Sequence, residues 1–176
     1  MPEQREEAET VVLMDKLFPQ IPFSDDETPL SWAARQAAFH TGGRLVPFLK
    51  DLGIAPRAFW RGDPAAIESL CTRAGENTER VFKNNIMAMT PYLLRLRGEQ
   101  FSADFTTRSE TRLCPICLKE DRQDQPRPYV AMRHRLNWRL SPVRTCPTHK
   151  VTLHSVNAGK ISDHYHELHA MGDALF

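Results

Sequence analysis

Two matched hooks constrain this chain more than any other feature. Cys114-Pro-Ile-Cys117 is followed, after 28 intervening residues, by Cys146-Pro-Thr-His149, giving C-x2-C-x28-C-x2-H. Two residues between ligands let one tight turn present both side chains to the same ion, and two such turns complete a tetrahedron that zinc accepts readily. A proline follows the first ligand of each hook (Pro115, Pro147) and fixes the turn. A redox pair made of Cys114 and Cys117 alone would sit at a strand-to-helix turn in a βαβ pattern, which is missing here, and would leave the second hook unexplained. A catalytic zinc site keeps one position open to water, whereas this pattern supplies four ligands. The expectation is one structural Zn2+ held by Cys114, Cys117, Cys146 and His149. In small zinc modules such binding contributes roughly 10 to 16 kcal/mol, which is folding free energy where the local core is thin.

The rest of the sequence tells what such a clamp would brace. A chain of 176 residues with 41% hydrophobic content makes one domain or two small lobes sharing a core. No uncharged run approaches the ~20 residues of a transmembrane helix. The acidic start MPEQREEAET is unlike a signal peptide. The expected location is the bacterial cytoplasm, near the nucleoid when active. Thiols stay reduced there, and closely spaced cysteines bind metal more often than they form disulfides.

Helical signals dominate the first hundred residues. After a weakly patterned acidic segment (1–17, with a short helix expected over Val11–Phe18), FPQIPF is extended because its prolines exclude regular helix. Thr28-Pro29 and Asp63-Pro64 each read as an N-cap followed by proline at the first helical position. Gly42-Gly43 and Gly75 read as stops. Helices are expected from Pro29, over Arg44–Leu52, from Pro64, from Asn77 or Thr78 to Met89, and over Tyr92–Arg97. From Phe101 the period changes, and short strands are expected around the hooks, taking in Tyr129, Val130, Leu136, Trp138 and Leu140. Cys71, Trp32, Trp60 and Trp138 read as core. His164, His166 and His169 read as a solvated terminal segment or a weak metal site.

Two features suggest contact with nucleic acid. Ala65–Met89 resembles a helix-turn-helix pivoting on Gly75, whose second helix would offer Arg80, Lys83 and Asn84 to a DNA groove; an ordinary helical hairpin is the alternative. Between Asp124 and Asp163 there is no acid, while Arg127, Arg133, Arg135, Arg139, Arg144, Lys150 and Lys160 fall in that interval. Such a block suggests either an anionic partner, often nucleic acid, or a solvated face beside a negative metal-thiolate site. Arg133, Arg135, Arg139 and Arg144 are its candidate binding residues.

Several stretches line up with one family. FPQIPFSDDETPLSWAARQA has alternating prolines, then acids, then Ser-Trp and an arginine on the first helix. LCPICLKED, followed by YVAMRHRLNWRLSPVRTCPTHKVTL, has the two hooks flanking an Arg/Trp-containing stretch. Together these resemble the TniQ family of transposition proteins over about 18–153. The resemblance implies a non-enzymatic adaptor combining helix-turn-helix and zinc-ribbon parts. It links a target-recognising element, DNA-binding or guide-RNA effector complex, to an AAA+ ATPase that recruits the transposase. Many members continue into further helical domains; with 27 residues after His149, this sequence is similar to the short members.

The expected architecture is therefore mainly α with a small β zinc ribbon: an acidic segment (1–17), a helical helix-turn-helix-like lobe (18–100), a Cys3His lobe (101–155) and a tail or short helix (156–176). The alternative function is a stand-alone helix-turn-helix and zinc-ribbon DNA-binding regulator. A hydrolase or redox enzyme lacks support, because no Ser/His/Asp array, His-Glu-x-x-His motif or phosphate-binding glycine loop occurs.

Overall fold

The computed structural model describes residues 16–107, 110–157 and 166–170. The expected helix over Val11–Phe18 falls almost wholly outside them, as do His164 and most of the C-terminal tail. Five helices open the fold: α1 (Pro29–Thr41), α2 (Leu45–Asp51), α3 (Pro56–Trp60), α4 (Pro64–Ala74) and α5 (Thr78–Phe82). Their ends follow the sequence signals. Thr28 Oγ1 accepts the Ser31 N–H at 3.1 Å and Pro29 takes the first turn of α1, where a missing N–H costs nothing. Asp63 and Asn77 cap α4 and α5 in the same way. Gly75 ends α4 at φ 67°, a left-handed conformation that needs glycine.

The apolar faces of these helices meet in a first core built on Phe23, Trp32, Leu45, Leu49, Phe59, Ile67, Leu70 and Cys71. Burial of each large side chain contributes about 1.5–3 kcal/mol. The extended FPQIPF segment closes over this core. Phe23 meets Trp32 edge-on at 5.8 Å, and the Ile21 carbonyl accepts both Trp32 Nε1–H (2.8 Å) and Gln36 Nε2–H (3.0 Å).

Two expected helices are corrected here. The helix expected to reach Met89 stops at Phe82, because Asn84 and Asn85 turn inward. Asn84 Nδ2 donates to the carbonyls of Asp25 (2.6 Å) and Glu27 (2.8 Å), and Asn85 Nδ2 donates to that of Gly62 (2.8 Å). Asparagine side chains that bond backbone in this way compete with helix continuation. Tyr92–Arg97 is not helical either. Leu93–Leu96 is strand β2, between β1 (Met87–Ala88) and β3 (Glu99–Ser102), in an antiparallel sheet ordered β1-β2-β3. Arg97 (φ 53°) and Gly98 (φ 88°) form the two-residue turn joining β2 to β3, and two consecutive left-handed residues are what a tight hairpin of right-twisted strands requires.

Strand β4 (Glu110–Leu113) then leads into α6 (Pro115–Arg122), and β5 (His154–Asn157) returns antiparallel to β4 with Leu113 opposite His154. Residues 128–139, expected as strand, form instead the single-turn α7 (Pro128–Ala131) and a 3-10 turn over Leu136–Arg139. A second core gathers Leu113, Leu118, Met132, Trp138, Leu153 and Leu168 beside the three hook cysteines. The fold is mainly helical with small antiparallel sheets, as expected. No helix among the described residues is long and apolar enough to cross a membrane.

The two cores are tied together by the stretches that carry the family-like pattern. Thr28 N–H donates to the His134 carbonyl (3.1 Å), and Leu136 N–H donates to that of Asp26 (2.7 Å). Ser31 Oγ accepts the His134 N–H (2.8 Å) and donates to the fully buried carboxylate of Glu27 (2.8 Å). Arg35 pairs with Glu27 at 2.8 Å and donates through Nε to the Val130 carbonyl at 2.9 Å. Burial pushes the Glu27 carboxyl up, against the pull of Arg35 and Ser31. A second tie comes from the C-terminal side. Leu168 fills the second core, while the buried carboxylate of Glu167 accepts the Leu45 N–H at 2.8 Å and pairs with Arg44 at 2.7 Å.

Candidate metal centre

The first hook stands where β4 meets α6. Cys114 is the N-cap of α6, Pro115 takes its first position, and Cys117 lies one turn in, on the same side. The second hook is a tight turn closed by Lys150 N–H donating to the Cys146 carbonyl (2.9 Å) and Cys146 N–H donating to that of Val151 (2.8 Å). Lys150 adopts φ 59° to complete it. The three cysteines are buried and free of disulfides. Together with His149 they form the one group of metal-ligand type found among the described residues, with all four donor atoms within 4.8 Å of one another.

The spacing can be tested against a tetrahedral ion. Zn–S bonds of ~2.3 Å and Zn–N bonds of ~2.0–2.1 Å imply edges of about 3.8 Å for S···S and about 3.6 Å for S···N. Cys117 Sγ lies 3.7 Å from Cys146 Sγ. His149 Nδ1 lies 3.5, 3.3 and 3.6 Å from the sulfurs of Cys114, Cys117 and Cys146. The donor set and its edges fit one zinc ion with four protein ligands, the coordination usual in structural zinc sites.

Groups around the donors favour metal binding. His149 Nε2 lies 3.0 Å from Glu120 Oε1, which fixes the ring so that Nδ1 faces the sulfurs and raises its basicity. Burial acts to raise the Cys146 thiol, but the N–H groups of His149 and Thr148 and the His149 ring outweigh it and bring it down to about 7. Burial pushes the Cys117 thiol up, against the pull of the nearby Arg135 guanidinium. Glu120 sits three residues after Cys117 on α6. Only the helix, unforeseen in the sequence reading, brings it to the histidine.

The four basic residues of the hook interval do not share one free surface. Arg135 grips Asp121 with two nitrogens (2.6 and 2.8 Å), lies 3.3 Å from Asp26 and stacks over Trp138 at 4.9 Å; it is only 8% exposed. Arg133 binds the same Asp121 through Nη2 (2.7 Å) and its own N–H (3.0 Å), and also Ser24 Oγ. Burial would lower the Arg135 guanidinium, but its bonds to Asp121 raise it. Both charges are thus met by acids that lie outside the acid-free interval in sequence but beside it in space. Arg139 bonds the backbone and side chain of Thr107. Arg144 is exposed.

The helix-turn-helix residues divide similarly. Arg80 pairs with Asp25 at 2.6 Å and Glu76 at 3.5 Å. Lys83 is exposed, whereas Asn84, expected to face a groove, is buried and also accepts a bond from Arg97 (3.0 Å). A five-residue α5 presents little more than one turn.

The TniQ family model matches residues 18–153. No curated protein and no solved structure shows significant similarity to the chain. The match spans both the interlocked N-terminal stretch and the two hooks, and the chain belongs to the TniQ family of transposition-associated proteins.

Proposed function

We propose that this chain is a zinc-stabilised, non-enzymatic adaptor of DNA transposition. It joins target-site recognition, by DNA or by a guide-RNA effector complex, to the transposon's AAA+ ATPase and through it to the transposase. The observation that carries the reading is the family match across 18–153, which includes all four donors of the metal site. A donor set closed around one ion supports a bracing metal over a reactive one. The zinc would be held by Cys114, Cys117, Cys146 and His149 and would supply structural stability, with Arg144 and Lys83 among the exposed charges open to a partner.

The stand-alone regulator is the weaker reading, because α5 is short and Asn84 is turned inward. The test is capture of the ATPase encoded by the same element, with DNA and nucleotide present. The expected result is a stable complex that the zinc-site variant Cys146→Ser loses. Failure of the wild-type chain to bind the ATPase under any such condition refutes the adaptor role.

A further inference from the structure

Most arginines in this structure are spent internally. Arg35, Arg44, Arg80, Arg112, Arg133 and Arg135 each meet a carboxylate. Three others stand apart, on a face that the hook interval does not include. Arg57 and Arg61 lie four residues apart on α3 and its C-cap and are exposed. Side chains at this spacing emerge on one side of a helix, with Cβ atoms about 6 Å apart. Strand β1 is joined to them by Ala88 N–H donating to the Arg61 carbonyl at 2.8 Å. Arg95 on β2 is directly opposite Met87 of β1 and donates from Nη2 to its sulfur at 3.7 Å. Arg57 and Arg61 line a cleft of about 410 Å³ with Ala58, Asp63, Pro64, Met87 and Ala88, and Arg95 adjoins it through its contact with Met87. The one acid there, Asp63, already accepts the Ala66 N–H as the cap of α4. Among the described residues, none of the three arginines has a carboxylate partner.

We propose that Arg57, Arg61 and Arg95 form a sequence-independent contact to the phosphate backbone of double-stranded DNA. The choice of DNA rests on the reading of the chain as a transposition adaptor; the choice of phosphate rests on the site itself. Three like charges held near one another on a helix and a paired strand, with the single acid Asp63 beside them, leave an excess of positive charge that an anion relieves. A guanidinium matches the geometry of phosphate oxygens. Ala58, Pro64 and Ala88 in the lining carry no side-chain donors or acceptors for base edges, and the weakly accepting Met87 sulfur is already met by Arg95, so the contact positions without reading sequence. It also relocates the polyanion-facing surface from the hook interval, where Arg133 and Arg135 are neutralised, to the α3–β1–β2 face.

The test uses the full zinc-loaded chain and a fluorescein-labelled random-sequence duplex, with anisotropy titrations between about 50 and about 200 mM salt. Each lost phosphate contact should flatten the slope of log K against log[salt] by about 0.9, so the triple variant Arg57→Gln/Arg61→Gln/Arg95→Gln should flatten it by about 2.7. Lys50→Gln, which removes one charge as each single variant does but on another face, should leave it unchanged. Arg57→Gln and Arg61→Gln alone should each flatten it by about 0.9, which keeps the test sound if removing Arg95 disturbs the hairpin. An unchanged slope in these variants overturns the proposal. So does absence of duplex binding by the wild-type chain at the lowest salt, or a loss seen with single-stranded RNA and not with duplex. ATPase capture by the triple variant separates this from the adaptor reading: capture retained with a flattened DNA slope supports the phosphate contact. Capture lost with DNA binding intact would make the face a protein interface and overturn it.

Discussion

Asp121 is the residue whose loss the structure prices most clearly. Its side chain is 2% exposed and receives guanidinium bonds from Arg133 (2.7 and 3.2 Å) and from Arg135 (2.6 and 2.8 Å), as well as the Arg133 N–H at 3.0 Å. Asp121→Ala leaves Arg135, itself 10% exposed at the side chain, with the half-exposed Asp26 as its carboxylate partner and a bond to the Arg133 carbonyl. Breaking a buried ion pair from one side costs about 3–5 kcal/mol, because the remaining charge stays desolvated. Partial exposure of Arg133 places the expected loss toward the lower end, about 3 kcal/mol. For a chain of this size that corresponds to a fall in Tm of roughly 6–12 °C. Scanning calorimetry of the zinc-loaded protein measures it, with zinc stoichiometry measured alongside, since Asp121 is not a metal donor and zinc should stay bound. Asp121→Asn, which keeps one acceptor oxygen, should fall between. A Tm for Asp121→Ala within experimental error of wild type would refute the claim that this buried carboxylate holds Arg133 and Arg135 in place.

Cys146→Ser should lower zinc content well below one ion per chain by elemental analysis and melt the second core in near-UV circular dichroism; full stoichiometry in the variant would remove Cys146 from the ligand set. His134 is fully buried, and burial, reinforced by Arg139, lowers its pKa to about 3. The unfolded chain therefore binds a proton near pH 6.5 that the native state refuses. Stability must fall as pH drops from about 6.5, by up to about 1.4 kcal/mol per pH unit from this group. Urea titrations at stepped pH should show His134→Phe losing less stability on acidification than wild type, the acid loss of zinc being common to both; parallel losses would contradict the assignment. Gly62 has φ 71°, and a Cβ there would come within 2.6 Å of the Ile86 carbonyl oxygen. Gly42, at φ 64°, has open space around it. Gly62→Ala should thus cost clearly more than the ~1–2 kcal/mol of left-handed strain expected for Gly42→Ala, and equal costs by chemical denaturation would disprove the close approach.

The clustering of the four donors was legible because it is local: two residues between ligands bring both to one side, whether in the tight turn of the second hook or in the first turn of α6. Helix starts at Thr28-Pro29 and Asp63-Pro64 were legible for the same reason. What misled were features decided at long range. Leu93–Leu96 has good helix-forming residues, yet the Arg97-Gly98 turn and the pairing partner Glu99–Ser102 make it a strand. The helix opened by Asn77 ends early because Asn84 and Asn85 find backbone carbonyls on distant segments. The interval between Asp124 and Asp163 looked uniformly basic along the chain, but charge balance is settled in space. Asp121 and Asp26 flank Arg133 and Arg135 from outside the interval.

Helix α2 begins at Arg44 without a side-chain cap of its own. Its first amide is bonded by Glu167, 122 residues further on, next to a leucine that packs beside the zinc hooks. The opening lobe therefore borrows a piece of its finishing hardware from the last described segment. Order at the start of α2 is thus linked to the docking of Leu168 beside the hooks, and exchange of the Leu45 amide with solvent is expected to quicken when metal is stripped from the cysteine turns.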